Sequence, residues 1–319
     1  MIKQFKNITK STSFFSFVGL IMLCCVCGIT TNNFFKVSNI ITIFRQASIL
    51  LVLSAGLTIV IITAGIDLST GATAGLVGCI CAQLLKANIP ILTVVIIGIA
   101  IGGFVGIFNG FLVGVVELPS FVATYGTNWA VSGISIIVMN GSVIYGLPKG
   151  FNNIGVGYAG LIPNVIIIAV IIVAIIHIFL QKTSMGRNIY NIGSNKDAAL
   201  YSGINVKKSI FMAFILSGIC AGLAGILMVA RLNAAEAAMG DAFGLQTVAA
   251  VCIGGTSLLG GEGGIMGTVV GVLLLTVIIN VMNLLGVSSF AQPLAIGIVI
   301  ILMVGFDMFT RARQAKNLI

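Results

Sequence analysis

The sequence predicts an all-α polytopic membrane protein with about ten transmembrane helices and with its N- and C-termini in the cytoplasm. Three observations support this prediction. Hydrophobic residues make up 59% of the 319-residue chain and charged residues only 7%, for a mean hydropathy of +1.20. Apolar stretches long enough to cross a bilayer recur along the chain. Most of the few basic residues fall on one side of these stretches.

The composition excludes several classes of soluble protein. Soluble domains carry about 25% charged residues, so a content of 7% leaves too few polar side chains to cover a globule of this size. The formal net charge of +9 comes from scattered basic residues, unlike the clustered patches of nucleic-acid-binding proteins. We therefore expect a lipid bilayer around the chain and no nucleic acid as its partner.

The sequence also lacks the residue patterns on which catalysis and cofactor binding depend. It contains no G-x-x-x-x-G-K-[ST] loop for a nucleotide, and its one histidine, His177, leaves no Ser/His/Asp set. The seven cysteines show no metal-ligand spacing, and most of them lie in apolar runs. We expect no enzyme activity, no cofactor and no metal on this chain.

A helix needs about 20 apolar residues to cross the hydrocarbon core, and nine stretches approach that length. A tenth, at 244–256, is shorter and contains glycine, but it has to cross if both termini lie on one side. The first stretch ends without a convincing cleavage site, so we read it as a span rather than a secretory signal. The predicted spans are 14–31, 40–63, 70–86, 91–115, 120–139, 161–180, 209–229, 244–256, 265–285 and 289–307.

The distribution of basic residues sets the orientation of these spans. With the N-terminus in the cytoplasm, 11 of the 16 lysines and arginines lie inside, as the positive-inside rule requires. The other five lie outside or near outer helix ends, where long side chains reach the headgroups. We predict a single transmembrane domain over residues 1–319.

Residues 181–208 form the longest polar stretch and hold five of the eleven inside basic residues. Within this stretch, Lys196–Ser202 matches a short helix with Asn195 as N-cap and Gly203 as C-cap. A long ordered loop usually binds something. The loop is therefore either a docking element for a cytoplasmic partner or a solvated linker.

Glycines recur at helical spacing inside the apolar stretches. Four of them, from Gly102 to Gly114, follow a strict four-residue period, which lets another backbone approach closely in lipid. We predict helix packing within the chain, with homodimerisation as the alternative. Two glycine-rich segments, Gly65–Gly71 and Gly255–Gly261, share the pattern G-x-x-L-x-x-G. Broken helices of this kind mark the binding sites of many transporters.

Asp67 is the acidic residue most closely enclosed by apolar sequence, and the predicted topology puts it at the inner membrane edge. A carboxylate inside a membrane is costly and marks a functional site by default. At the edge, Asp67 would instead cap the third span beside Ser69 and Thr70. Both interpretations stay open on the sequence alone.

Several segments of the chain resemble one family of transport proteins. Residues Asp197–Gly203 resemble the E-A-A-x-x-x-G loop of bacterial ABC-importer permeases, with aspartate in place of the usual glutamate. Other segments resemble the monosaccharide branch of these permeases, the ribose-type permeases, in order over roughly residues 40–307. The matching segments are Thr183–Asn195, Ser202–Val206, Ile62–Ser69, Ala123–Thr127, Gly146–Pro148, Ala230–Leu232, Ala249–Gly261 and Leu284–Ser289.

The resemblance implies a permease subunit in the bacterial inner membrane, in an importer for a monosaccharide, with ribose favoured. It also implies a homodimer or paired permease, a cytoplasmic ABC ATPase that holds the ATP and Mg²⁺, and an extracellular sugar-binding protein. Residues 181–208 would then be the coupling loop on which the ATPase docks. The residues assigned to the coupling surface are Arg187, Asn195, Asp197, Ala198, Ala199, Ser202 and Gly203.

A sugar path through the membrane needs neutral hydrogen-bonding groups of modest affinity, because a transporter must also release its substrate. Polar side chains in the apolar spans are the candidates, although such side chains also serve as contacts between helices. The candidate path residues are Asn109, Thr124, Thr127, Asn128, Trp129, Asn280, Asn283 and Gln292.

Two other functional classes stay open on the sequence. A stand-alone, ion-coupled secondary transporter or channel for a small polar solute would show membrane acids with partners and a dispensable 181–208 loop. An integral-membrane enzyme would need a nucleophile and base or a metal set, which the sequence lacks.

Overall fold

The computed structural model describes residues 12–31, 33–288, 290–298, 301 and 305, and this part of the chain is mostly helical. Its strands are β1 (Ile144–Tyr145), β2 (Tyr158–Ala159), β3 (Ile162–Pro163) and β4 (Ala234–Ala235). Its helices are α1 (Thr12–Thr30), α2 (Val37–Ile62), α3 (Thr70–Lys86), α4 (Ile91–Gly114), α5 (Ser120–Met139), α6 (Lys149–Val156), α7 (Asn164–Lys182), α8 (Ser184–Ser194), α9 (Lys196–Tyr201), α10 (Val206–Leu232), α11 (Asp241–Ile253) and α12 (Ile265–Leu284). A further helical stretch follows at 292–298.

The helices agree with the predicted spans to within three residues at every boundary between 14 and 285. Six described helices are long and apolar enough to cross a membrane, so the chain is an α-helical, multi-pass membrane protein. The 13-residue helix α11 is about 20 Å long, which is shorter than the hydrocarbon core of about 30 Å. The predicted span at 289–307 is described only in part, over 290–298, 301 and 305, and residues 1–11 and 306–319 at the chain ends lie outside the described residues.

Proline and asparagine set several helix boundaries. The N-cap residues of α4, α5, α6 and α7 are Pro90, Pro119, Pro148 and Pro163. Proline suits this place because its ring fixes φ and because the first helical turn needs no N–H donor from it. Asn140 and Asn233 follow α5 and α10 in the left-handed conformation, which asparagine tolerates better than most residues.

The connection between α5 and α7 contains structure that the sequence did not predict. Strand β1 pairs with β4 through Ile144 and Ala235, and β2 pairs with β3. The side-chain oxygen of Asn233 accepts hydrogen bonds from Leu147 N and Asn152 Nδ2, both at 2.8 Å. Strands of two residues carry no hydrophobic periodicity from which to predict them.

Helix α10 packs against α2, α3 and α4, and its contact with α4 depends on glycine. A Cβ atom at Gly102 would overlap the carbonyl oxygen of Gly218 and would lie 2.8 Å from Gly222 Cα. The two backbones approach this closely because no side chain separates them. The predicted intrachain packing of the Gly102–Gly114 stripe is therefore confirmed.

Helix α2 lies inside the helical assembly. Every residue from Val52 to Ile62 is buried, as expected for a helix that is apolar on all sides. A Cβ atom at Gly56 would lie 2.7 Å from Cys220 Cβ and 3.0 Å from Ser217 Cα. The second half of α2 is therefore level with the middle of α10.

Replacing Gly102 with alanine should destabilise the protein, because the added methyl group would overlap the α10 backbone. Overpacking costs about 1–3 kcal/mol, which outweighs a gain in helix propensity of roughly 1 kcal/mol. Gly103→Ala is the matched control, since its Cβ would make an ordinary contact with Ile219 Cγ1 at 3.5 Å. Thermal unfolding in detergent compares the variants, and equal melting temperatures would contradict this role of Gly102.

Candidate functional site

Residues 181–208 contain two helices, whereas the sequence predicted one. The helix that sequence reasoning missed is α8, whose N-cap residue Thr183 accepts a capping hydrogen bond at 3.0 Å. Its buried side chains include Ile189 and Ile192. Together with Met185 they recur at intervals of four and three residues, and this spacing is the available signal of an amphipathic helix.

The predicted helix at Lys196–Ser202 is confirmed as α9. The side-chain oxygen of Asn195 accepts a hydrogen bond from Ala198 N at 2.9 Å, which is the predicted N-cap. At the other end Gly203 has a φ of +77°. The N–H groups of Gly203 and Ile204 bond back to the last turn at 3.0 and 3.1 Å, which closes a Schellman motif.

The residues assigned to the coupling surface are mostly exposed. The exposed ones are Arg187, Asn195, Asp197, Ala198, Ser202 and Gly203. Ala199 is only 4% exposed and packs with Ile192 and Val206. Next to it along the chain, Leu200 and Tyr201 are 59% and 90% exposed. The surface therefore includes two large side chains that the sequence reasoning did not single out.

Two non-helical segments lie beside α8. The first break is residues 63–69, between α2 and α3, and the second break is residues 254–264, between α11 and α12. They meet in space. A Cβ atom at Gly260 would lie 2.8 Å from Ala64 N in the first break, and Gly261 N donates a hydrogen bond at 2.9 Å to the carbonyl oxygen of Ile62, the last residue before that break. The two glycine-rich segments that share a sequence pattern are therefore neighbours in the fold.

Helix α8 packs on the second break and on the last residue of α2, where the first break begins. A Cβ atom at Gly193 would overlap the carbonyl oxygen of Ile62 and the amide nitrogen of Gly261, so backbone meets backbone there. One turn earlier, the hydroxyl of Tyr190 donates a hydrogen bond to the carbonyl oxygen of Gly263 at 3.0 Å. The 181–208 segment and the two breaks therefore form one continuous contact.

The beginning of α5 hydrogen-bonds the backbone of the first break. Ile66 N donates to Ser120 Oγ at 3.1 Å. Leu68 N donates to Thr124 Oγ1 at 3.2 Å, and the same hydroxyl lies 3.0 Å from the carbonyl oxygen of Ile66. Irregular backbone among membrane helices needs such partners. Thr124 is 0% exposed, so its hydroxyl is a hydrogen-bond partner of the first break rather than of solvent.

Asp67 lies in the first break and is 2% exposed. One carboxylate oxygen accepts hydrogen bonds from the amide and the hydroxyl of Ser69 at 3.0 and 2.7 Å, and the other accepts one from Ser217 Oγ at 2.9 Å. Asn109 Nδ2 donates to Ser69 Oγ at 2.8 Å. The side-chain oxygen of Asn109 is buried with no hydrogen-bond partner in the described part of the chain.

The position of Asp67 differs from the expected membrane edge. Its partner Ser217 lies 11 residues into the 27-residue helix α10, about 16 Å along the axis at 1.5 Å per residue. The carboxylate therefore lies beside the middle of α10 rather than beside its end. Ser69, the N-cap residue of α3, makes no side-chain capping bond. A carboxylate this deep is costly, and its three hydrogen bonds stabilise it there.

An ion pair joins the 181–208 segment to the connection between α4 and α5. Lys207 Nζ lies 3.0 Å from Glu117 Oε1, and the hydrogen bond from Lys207 lowers the pKa of the Glu117 carboxyl. Both side chains are exposed, so the pair contributes little to stability. A cleft of 440 Å³ opens beside it, between the first break, the start of α5 and the end of α8.

The structure separates the eight candidate path residues into two groups. Asn109, Thr124, Thr127, Asn128 and Trp129 lie on α4 and α5 near the first break, and Asn280, Asn283 and Gln292 lie at the other end of α12 and beyond it. Asn280 is 15 residues from the start of α12, about 22 Å along its axis. The sequence could not reveal this separation, because it depends on how the helices are arranged.

Most of the candidate path residues have partners within the chain. Asn280 exchanges hydrogen bonds of 2.8 and 3.0 Å with Asn39. Gln292 Nε2 donates to Asn283 Oδ1 at 2.7 Å. Thr127 is 5% exposed, and its hydroxyl donates to the preceding helical turn at 3.0 Å. Trp129, in contrast, is 63% exposed.

Replacing Ser217 with alanine should cost about 1.5–3 kcal/mol of unfolding free energy, as expected for a hydrogen bond to a carboxylate. Ser209→Ala is the matched control on the same helix. Ser209 is also 1% exposed, but within the described residues its hydroxyl bonds only to Asn205 O in the preceding turn at 3.0 Å, so its loss should cost less than about 1 kcal/mol. Thermal unfolding in detergent compares them, and equal losses would mean that Ser217 does not stabilise Asp67.

Comparison with known proteins places the chain in a family. Residues 39–305 match the sequence model of a protein family that is described as the permease component of branched-chain amino acid transport systems. The chain is 37% identical to the ribose import permease protein of Haemophilus influenzae over 94% of both chains. It is 38% identical to the D-allose transport system permease protein of Escherichia coli, over 91% of this chain and 90% of the relative. It is also 38% identical to the ribose import permease protein of Bacillus subtilis over 91% of each.

No solved structure matches the chain. The family match covers the helices that hold both breaks and the 181–208 segment, and the relatives match over nearly their whole length. The chain therefore belongs to this family of membrane permeases and is a transport protein rather than an enzyme.

Proposed function

We propose that the chain is the membrane-spanning permease subunit of an ATP-binding-cassette importer for a monosaccharide, with ribose favoured. Two of the three relatives above are import permeases for ribose, and the third transports D-allose. Both sugars are small, neutral and rich in hydroxyl groups. The path through the permease would therefore need neutral hydrogen-bonding groups rather than charges.

In this assignment the nucleotide chemistry belongs to other chains. A cytoplasmic ABC ATPase would bind ATP and Mg²⁺, and an extracellular sugar-binding protein would deliver the sugar. Two permease chains, identical or different, would enclose the path. This chain would need no cofactor of its own.

We assign ten spans and cytoplasmic termini to the permease. The described helices supply nine apolar segments, of which six are long enough to cross by themselves, and 289–307 would be the tenth. Contacts between connections support the alternating order. Lys207 and Glu117 meet on the side assigned to the cytoplasm, and Ile144 and Ala235 meet on the opposite side.

The observation that carries the proposal is the contact of residues 181–208, the proposed coupling loop, with both breaks. Helix α8 touches Ile62, Gly261 and Gly263, while α9 exposes Leu200 and Tyr201. A displacement of α9 by a docked ATPase would reach the breaks through α8, because close-packed backbones transmit strain. A stand-alone transporter would have no need of such a connection.

The function itself is tested by reconstituting the permease with its ATPase in proteoliposomes and adding the sugar-binding protein outside. Radiolabelled ribose should accumulate only when ATP is enclosed. Accumulation driven by a proton or sodium gradient without ATP would overturn the importer assignment in favour of a secondary transporter.

Replacing Gly203 with valine should reduce ATP-driven ribose uptake about ten-fold or more. Valine strains the left-handed backbone that ends α9, at a cost of roughly 1–2 kcal/mol. Gly203→Asn is the control, because asparagine tolerates this conformation, and a Cβ atom at this position would meet no atom within 4 Å in the part of the chain that the structure describes. Equal uptake by the two variants, at equal membrane insertion, would contradict the proposed coupling role of α9.

A further inference from the structure

The first half of α5 carries three aromatic side chains on one exposed face. Phe121, Tyr125 and Trp129 are 53%, 47% and 63% exposed, and they recur every four residues, so they are neighbours along the helix. The Phe121 and Tyr125 rings are parallel, with centroids 5.9 Å apart, and the Trp129 ring meets Tyr125 edge-on at 6.2 Å. These three residues, the aromatic ladder, extend over about 12 Å of helix.

The exposed face of α5 does not suit lipid. Helix α5 is the least apolar of the six long membrane helices, with a mean hydropathy of 1.3 against 1.9–2.7 for the others, yet only 28% of it is buried. Helix α4 is also 28% buried, but its mean hydropathy is 2.7, as expected for a helix that faces lipid. The difference indicates that α5 faces an environment more polar than the bilayer interior.

The polar atoms of the ladder lie where lipid offers no hydrogen bonds. Trp129 is nine residues from the start of α5 and ten from its end, whereas tryptophans that anchor helices in a bilayer lie at the membrane interfaces. Within the described ranges, neither Trp129 Nε1 nor Tyr125 Oη has a hydrogen-bond partner. Such donors are costly in hydrocarbon, so this face requires water or a polar ligand.

We propose that the aromatic ladder is a binding site for the monosaccharide inside the transport path. A neutral sugar presents C–H groups on the faces of its ring and hydroxyls around the rim. The aromatic faces would contact the C–H groups, while Trp129 Nε1 and Tyr125 Oη would bond the hydroxyls. Gly126 and Gly133 leave room beside the rings, since a Cβ atom at either would meet no atom of the described residues within 4 Å. The inference rests on the proposed sugar-importer function.

The ladder is connected to the first break. Ser120, immediately before Phe121, bonds Ile66 N, and Thr124, immediately before Tyr125, bonds Leu68 N. A movement of the first break would therefore displace the rings. The proposed sugar site would in this way respond to the coupling loop, which contacts the same break.

Transport tests the site in the reconstituted complex of permease, ATPase and sugar-binding protein. Trp129→Ala should reduce ATP-driven ribose uptake about ten-fold, as expected when one aromatic contact is lost. Trp129→Phe should retain most of the uptake, because it keeps a ring. Ile137→Ala is the control, since Ile137 is 78% exposed on the same helix outside the ladder, and its uptake should match that of the unaltered chain.

The outcomes separate the site from the function. If the unaltered complex takes up ribose and the uptake of Trp129→Ala is within about two-fold of that value, the proposed sugar site is overturned and the importer function stands. If the unaltered complex takes up none, the proposed function fails instead. If Trp129→Ala no longer copurifies with its second permease chain or ATPase, the ladder is a subunit contact and the site is overturned.

Sugar binding can also be observed directly, because Trp129 is the only tryptophan of the chain. Titrating ribose into the detergent-purified permease should change the emission of this residue, and Tyr125→Ala should weaken the response. Potassium chloride of equal osmolality is the control. Emission unchanged up to roughly 100 mM ribose, a hundred times a millimolar dissociation constant, would overturn the site.

Discussion

Backbone that leaves the helical conformation inside a membrane protein must find its hydrogen bonds within the protein, because hydrocarbon supplies none. The two breaks meet this requirement through each other and through neighbouring helices. Gly261 N donates a hydrogen bond to the carbonyl oxygen of Ile62. Hydroxyl groups at the start of α5 accept hydrogen bonds from the N–H groups of Ile66 and Leu68 in the first break. The breaks therefore link α2, α5, α8 and α12 through hydrogen bonds and close backbone contacts.

The hydrogen bonds around the buried carboxylate depend on the glycine stripe of α4. Asn109 lies between Gly106 and Gly110 in the part of α4 that packs backbone against backbone on α10. This close approach puts the amide of Asn109 within 2.8 Å of Ser69, which in turn bonds Asp67. Bulkier residues in the stripe would move α4 outward and separate the amide from the cluster.

Local signals predicted much of the fold, and contacts between distant residues account for most of what they missed. The lengths of two apolar stretches predicted the bounds of α3 and α5, and the two capping residues predicted α9. The depth of Asp67 depends on Ser217, 150 residues away, and the pairing of Asn280 depends on Asn39, 241 residues away. Of the eight candidate path residues, the sequence identified the polar side chains but not which of them bond within the chain.

The meeting of Gly193 with Ile62 and Gly261 has a mechanical consequence. Contacts between side chains can absorb a small displacement, because each side chain can change its rotamer. Backbone atoms have no rotamers, so a contact made by them alone cannot absorb a displacement in this way. A displacement of α8 would thus reach the two breaks together and nearly undiminished, and neither break could follow α8 without the other.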